Sequence, residues 1–165
     1  MKILIIALVA ACSAHTPAPS QPIAFDHALH LRVHLDDRAL ACTDCHAGAE
    51  RAAKAGLPAI TTCLRCHMRP QGDRPSAKER RVRELAATGG VRWIQVTRNP
   101  GHVYFSHRAH VSIAKPKLAC DGCHGAVASW TAPPTEPNPS LTSMDACLAC
   151  HRAHGAPTDC GVCHR

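Results

Sequence analysis

Apolar residues in this 165-residue chain form one continuous run at the start and only short fragments afterwards. The run is Ile3-Leu4-Ile5-Ile6-Ala7-Leu8-Val9-Ala10-Ala11, preceded by the single basic residue Lys2. It is short and ends in small residues, the pattern of an export signal rather than of a spanning helix, which needs about 20 apolar positions. After Ile6 no apolar run is long enough for a central strand, and no second stretch approaches the length of a membrane span. Strand and helix periods do not alternate. One segment, 76–87, predicts a helix, stopped by Gly89-Gly90; its run Lys78-Glu79-Arg80-Arg81-Val82-Arg83-Glu84 is mixed in sign and reads as a solvated face. Extended pieces are expected at 91–97 and 103–105. The fold class predicted is mostly irregular, with short α-helices and much loop.

The pattern also divides the chain. Residues 1–11 are the signal, and 12–24, with Pro17, Pro19 and Pro22 among small polar residues, read as a tether. The end of the signal, Leu8-Val9-Ala10-Ala11-Cys12, resembles a bacterial lipobox, which makes Cys12 a candidate lipidation site and the first residue of the mature protein. A unit over 25–70, a connector over 71–102 and a unit over 103–165 follow.

Composition complicates this division. About 140 residues are normally ample for one domain with its own core. Yet only five residues are aromatic (Phe25, Trp93, Tyr104, Phe105 and Trp130) and many of the apolar ones are alanine. Something else must fill the interior.

The cysteines supply it. Five times the chain reads Cys-x-x-Cys-His: Cys42, Cys45 and His46; Cys63, Cys66 and His67; Cys120, Cys123 and His124; Cys147, Cys150 and His151; Cys160, Cys163 and His164. This is the attachment signature of c-type haem. Each thiol adds across a porphyrin vinyl group, and two intervening residues let the pair reach both vinyls from one turn of backbone. The adjoining imidazole then falls under the iron as proximal ligand. Zinc is the main rival, since Cys-x-x-Cys is half of a zinc ribbon. A tetrahedral site takes two such pairs, five pairs leave one over, and zinc does not require a histidine after every second cysteine. Disulfides suit an exported chain, but the rest of a redox-active pattern is missing. Ten of the eleven cysteines lie in the motifs and the eleventh is Cys12.

Five c-type haems therefore serve as both cofactor and core, with iron ligands acting as staples, and without them the chain is expected to stay unfolded. They also change the meaning of charge. A formal net charge of +7 would suggest an acidic partner or nucleic acid. Five haems bring about ten propionate charges that offset it, so no nucleic-acid partner is expected.

An internal repeat organises the remaining histidines. Phe25-Asp26-His27-Ala28-Leu29-His30 matches Phe105-Ser106-His107-Arg108-Ala109-His110, both of the form Phe-x-His-x-x-His. The first precedes two attachment motifs and the second precedes three. Histidines three apart on a helical turn lie close together but point apart, so one segment can close two irons from the distal side. Two imidazoles on one iron give a six-coordinate centre with no open position for substrate.

In these features residues 103–165 resemble a small three-haem class III cytochrome c. The close Cys147 and Cys160 motifs, ending in Cys163-His164, belong to the same pattern. The stretch 25–165, including Trp93, is similar to the pentahaem subunit of alternative complex III and to the related multihaem subunit of menaquinone reductase complexes. The resemblance implies a haem-cored fold of two class III-like units. It implies that His27 ligates the haem on Cys42 and Cys45, His30 that on Cys63 and Cys66, His107 that on Cys120 and Cys123, and His110 that on Cys147 and Cys150. His34 is a competitor of His30. For the haem on Cys160 and Cys163 the three-haem proteins supply a histidine shortly before the second motif. Here 141–146 reads Leu-Thr-Ser-Met-Asp-Ala, so Met144 is the leading candidate, with His154, His102 or an open iron as alternatives. Met68, directly after a proximal histidine, is read as packing.

The function expected is single-electron transfer without catalysis of its own, on the periplasmic side of a bacterial membrane and anchored there by lipid. By resemblance, the partners are membrane quinol-oxidising subunits, an iron–sulfur subunit and a soluble cytochrome or oxidase as acceptor. The competing readings are a reductase or peroxidase using an open fifth haem, and a freely diffusing electron shuttle.

Overall fold

A computed structural model describes residues 19–165. The export signal, Cys12 and most of the tether lie outside the described residues. The fold is short helices joined by irregular chain: α1 (His27–His30), α2 (Cys42–Cys45), α3 (Ile60–His67), α4 (Ala77–Ala87), α5 (Asp121–His124), α6 (Met144–Ala153) and α7 (Cys160–Cys163). Five of these carry the attachment motifs. A π-helical turn spans Ala109–Ile113, and single 3-10 turns span Val127–Ser129 and Pro139–Leu141. The one sheet among the described residues is a hairpin of β1 (His34–Leu35) and β2 (Arg38–Ala39), paired antiparallel. Its turn holds Asp36 at φ 55°, a conformation that aspartate tolerates better than most side chains. No helix among the described residues is long and apolar enough to cross a membrane.

The segment expected to be helical over 76–87 is α4. Ser76 caps it, its Oγ accepting the Glu79 N–H at 3.1 Å. Arg83 pairs with Glu79, and Arg81 with Glu84 at 3.1 Å, while Val82 and Leu85 turn inward. They meet Ile23, and these three are the buried ones among the described residues, at 7–8% exposure. Ile60, Cys63, Leu64, Val91 and Trp93 pack around them. No described side chain is fully buried. A protein of this size cannot hold itself together on such a nucleus, and the missing interior is what large covalently bound macrocycles would supply.

One sequence expectation needs correction here. The tether over 12–24 ends too late, because Ile23 belongs to the core and Gln21 is bonded to the connector. The segment 91–97 runs without a strand partner. Instead the Gln21 amide substitutes for one: its Nε2–H donates to the Ile94 carbonyl at 2.7 Å and its Oε1 accepts the Ile94 N–H at 3.0 Å. Trp93 is fixed by its indole N–H donating to the Pro58 carbonyl at 2.8 Å.

The two halves grip each other reciprocally. The Ala28 N–H in α1 donates to the Trp130 carbonyl of the second half at 3.0 Å. In return the second histidine pair sits on a loop of the first half: the His107 and Arg108 N–H groups donate to the carbonyls of Ala53 and Ala52 at 3.0 and 3.1 Å. Ser112 Oγ donates to the Glu50 carbonyl at 2.9 Å. That loop, 48–55, closes on itself through the Gly48 N–H to the Ala55 carbonyl at 3.0 Å. A Cβ on Gly48 would collide with the Lys54 carbonyl and stand 2.8 Å from that of Ala55. Only glycine allows this closure.

Candidate haem sites

The repeated Phe-x-His-x-x-His segments are built alike in space. Phe25 stacks on His30 with ring centres 4.3 Å apart and presents its ring at 84° to His27. Phe105 stacks on His110 at 4.5 Å and stands at 88° to His107. In each copy the residue after the phenylalanine caps the turn. Asp26 Oδ1 accepts the Leu29 N–H at 2.7 Å, and Ser106 Oγ accepts the Ala109 N–H at 3.3 Å. The same capping residue orients the second imidazole: His30 Nδ1–H donates to the Asp26 carbonyl, and His110 Nδ1–H to the Ser106 carbonyl, both at 2.7 Å.

Each distal ring then faces a motif histidine. The ring centres of His107 and His124 are 6.3 Å apart with planes 2° from parallel. Those of His30 and His67 are 6.1 Å apart, and those of His110 and His151 also 6.1 Å. An imidazole nitrogen bonds a transition metal at about 2.0–2.1 Å and lies roughly 1.1 Å from its ring centre, so trans imidazoles have centres about 6.2–6.4 Å apart. The three pairs are wider than the phenylalanine contacts beside them and match the width an iron needs. His27 lies within electrostatic reach of His46.

Hydrogen bonding leaves the right nitrogen free. Besides His30 and His110, the Nδ1 atoms of His46, His107 and His151 contact the carbonyls of Gly56, Ala53 and Pro157 at 2.7, 3.0 and 2.5 Å. A carbonyl only accepts, so Nδ1 carries the proton and Nε2 keeps the lone pair that a metal takes. Nδ1 of His27 and of His67 are buried without a partner, and Glu79 stands 3.7 Å from the latter. Burial, reinforced by neighbouring histidines, holds His27 and His124 below the usual imidazole range. Both shifts favour the neutral imidazole, the form an iron ligand must take.

The ten motif thiols are unpaired and exposed or half-buried. Burial pushes those of Cys45, Cys63, Cys120, Cys123 and Cys147 up. Among the described residues no three His, Cys, Asp or Glu side chains converge as a metal cluster would require. Thiols of different motifs come within electrostatic reach of one another: Cys45 of Cys63 and Cys66, Cys42 of Cys120, Cys123 of Cys150, and Cys147 of Cys163. At α2, Asp44 accepts from Arg38 at 2.7 and 2.8 Å and from the Ala41 N–H at 2.7 Å, which ties the hairpin to the first motif.

For the motif at 160, the ring beside His164 is that of His102, 5.4 Å away with planes 20° apart. Met144 opens α6 with 62% of its surface exposed. His154 caps the other end of α6 and is exposed. His34 is exposed, its Nδ1 on the Arg32 carbonyl at 3.1 Å. Met68, read as packing, is instead 72% exposed, at the C-terminal cap of α3. The stacking of Phe25 and Phe105 on the histidines, and the loop at 48–55, were not found from sequence. The shared phenylalanine was the available signal for the first, and nothing marked the second.

Residues 103–165 match the family model described as cytochrome c7 and related cytochrome c. The chain is 32% identical to the multiheme cytochrome c subunit of menaquinone reductase from Nitratidesulfovibrio vulgaris, over 88% of its own length and 77% of that protein's. It is 38% identical to cytochrome c3 of Desulfuromonas acetoxidans, over 39% of its own length and 82% of that protein's. With imidazoles spaced for iron, thiols in attachment motifs and an interior too thin to stand alone, the chain belongs to the multihaem cytochromes c of the c7/c3 type, electron-transport proteins that carry covalently bound haem iron.

Proposed function

We propose that the protein is a five-haem relay, lipid-anchored through Cys12 on the periplasmic face of a membrane, serving as a subunit of a respiratory complex that exchanges electrons with the quinone pool. Each haem, when bound, supplies an iron that gains and loses one electron. The chain's own residues do the rest. Ten cysteines would fix the macrocycles, and the motif histidines together with His27, His30, His107 and His110 would hold the iron. Backbone carbonyls lock the imidazoles in the tautomer that ligates, so a change of charge at the metal asks for little rearrangement. The observation that carries this reading is the set of facing imidazoles at 6.1–6.3 Å, each tied to an attachment motif.

The relative's name, a menaquinone reductase subunit, favours a quinone-reactive membrane partner. The sequence reading expected electrons to leave quinol; in a menaquinone reductase they arrive at quinone, and the residues described serve either direction. The test is mass spectrometry of protein matured alongside the c-type assembly machinery, with five haem masses expected. A folded product without haem, or one holding zinc, refutes the reading. Fractionation checks the anchor: Cys12→Ser is expected to release the protein from membranes that hold the wild type through high salt. Release of the wild type itself would favour the free shuttle.

A further inference from the structure

We propose that His102 is the sixth ligand of the haem on Cys160 and Cys163, trans to His164, in place of Met144. The inference rests on the five-haem reading above and extends it to the one iron whose distal ligand the sequence leaves open. Three observations support it.

The first is backbone geometry. Val103 and His164 form an antiparallel bridge, flanked by the Tyr104 N–H donating to the Cys163 carbonyl at 2.7 Å and the Arg165 N–H donating to the His102 carbonyl at 3.3 Å. These bonds hold the end of the connector against the fifth motif in fixed register, and the Arg165 guanidinium over the Tyr104 ring at 4.6 Å adds to the clamp. The second is the rings themselves. Among the described residues the aromatic partner of His164 is His102, with centres 5.4 Å apart and planes 20° from parallel. That is about 0.9 Å short of the 6.3 Å between His107 and His124, an opening that an exposed side chain reaches by small rotations. The third concerns the competitors. Met144 and His154 sit at opposite ends of α6, both exposed, and no backbone pairing to the 163–165 segment holds either one.

The consequence is chemical. Two imidazoles on this iron close the one position at which a reductase or peroxidase would bind its substrate, and they hold its potential near those of its neighbours rather than at the higher value a thioether sets.

The experiment compares His102→Ala, Met144→Ala and His154→Ala in the haem-loaded protein. Haem is counted by mass, and spin state and carbon monoxide binding are read by absorption and electron paramagnetic resonance. The wild type is expected to show five low-spin haems, no thioether-to-iron charge-transfer band and no carbon monoxide uptake. His102→Ala should turn one haem in five high-spin and bind one carbon monoxide per chain, and added imidazole should reverse both. Met144→Ala and His154→Ala should match the wild type. If His102→Ala fails to mature, the other two variants decide alone: five inert low-spin haems in both support the assignment, and an opened iron in either overturns it. Carbon monoxide binding by the wild type overturns it too. A wild type lacking the fifth haem mass would instead be a failure of the five-haem reading, which the haem count separates from a wrong ligand.

Discussion

A single methyl group on Gly48, in the first half, is expected to disturb an iron site in the second. Gly48→Ala drives a Cβ into the Lys54 carbonyl and to 2.8 Å from the Ala55 carbonyl, both backbone atoms that cannot rotate away. The loop must open, and with it move the carbonyls of Glu50, Ala52 and Ala53. Four hydrogen bonds end there: the Ser112 Oγ–H, the Arg108 N–H, the His107 N–H and His107 Nδ1–H. At about 0.5–1.5 kcal/mol net for each, losing all four costs roughly 2–6 kcal/mol, and a partial shift should cost about 2–3 kcal/mol. Losing the carbonyl that orients His107 should also weaken its grip on iron by about 10–100-fold. The assay is urea unfolding of the haem-loaded protein, together with the high-spin fraction at equilibrium. The wild type is the control. A Gly48→Ala protein within about 0.5 kcal/mol of that control, with unchanged spectra, would refute the claim that the first half positions His107.

Three further outcomes follow from the same structure. Leu85→Ala, in the small nucleus beneath α3, should cost about 2–3 kcal/mol in denaturant unfolding of the haem-loaded protein, whereas Leu57→Ala, at 53% exposure, should cost less than about 0.5 kcal/mol. Protein made without haem should lack a cooperative thermal transition by circular dichroism and be digested rapidly, given that only three of the described residues are buried. The Arg38 guanidinium and the Ala41 N–H hold the Asp44 carboxyl well below the usual carboxylate range. Its folded pKa is depressed, so the stability it contributes is complete above the ordinary value of about 3.9 and lost as pH falls through the folded value. The stability gap between wild type and Arg38→Gln should therefore stay constant from pH 5 to 8 and close below about pH 4; a gap that widens in acid would contradict the pairing.

How much of this could be read in advance depended on whether a feature is local. Attachment needs contiguous residues, so all five motifs stand out in the chain, as do the two Phe-x-His-x-x-His turns. The helix α4 is equally local: a serine cap, a mixed charge face and a double-glycine stop. Contacts between distant residues left little trace. Gln21 imitating a strand neighbour for Ile94, Ala53 accepting from His107 and Trp130 receiving Ala28 all involve backbone groups, which every residue has. Ile23 was assigned to the tether because prolines surround it, though its own burial depends on Val82 and Leu85, some 60 residues away in sequence. His102 offered no motif at all, since what brings it to His164 is a pairing of chain segments.

The burial of Ile23 and the bonds of Gln21 also set a leash. If lipid is carried on Cys12, nine residue steps (21 − 12) separate the anchor from the first bonded side chain. At about 3.3–3.6 Å per residue, the haem-bearing body can rise no more than roughly 30 Å above the bilayer. That height is close to the width of a small domain. A chain so lipidated would meet any donor or acceptor near the membrane surface, and a partner diffusing deep in the aqueous compartment would have to come down to reach it.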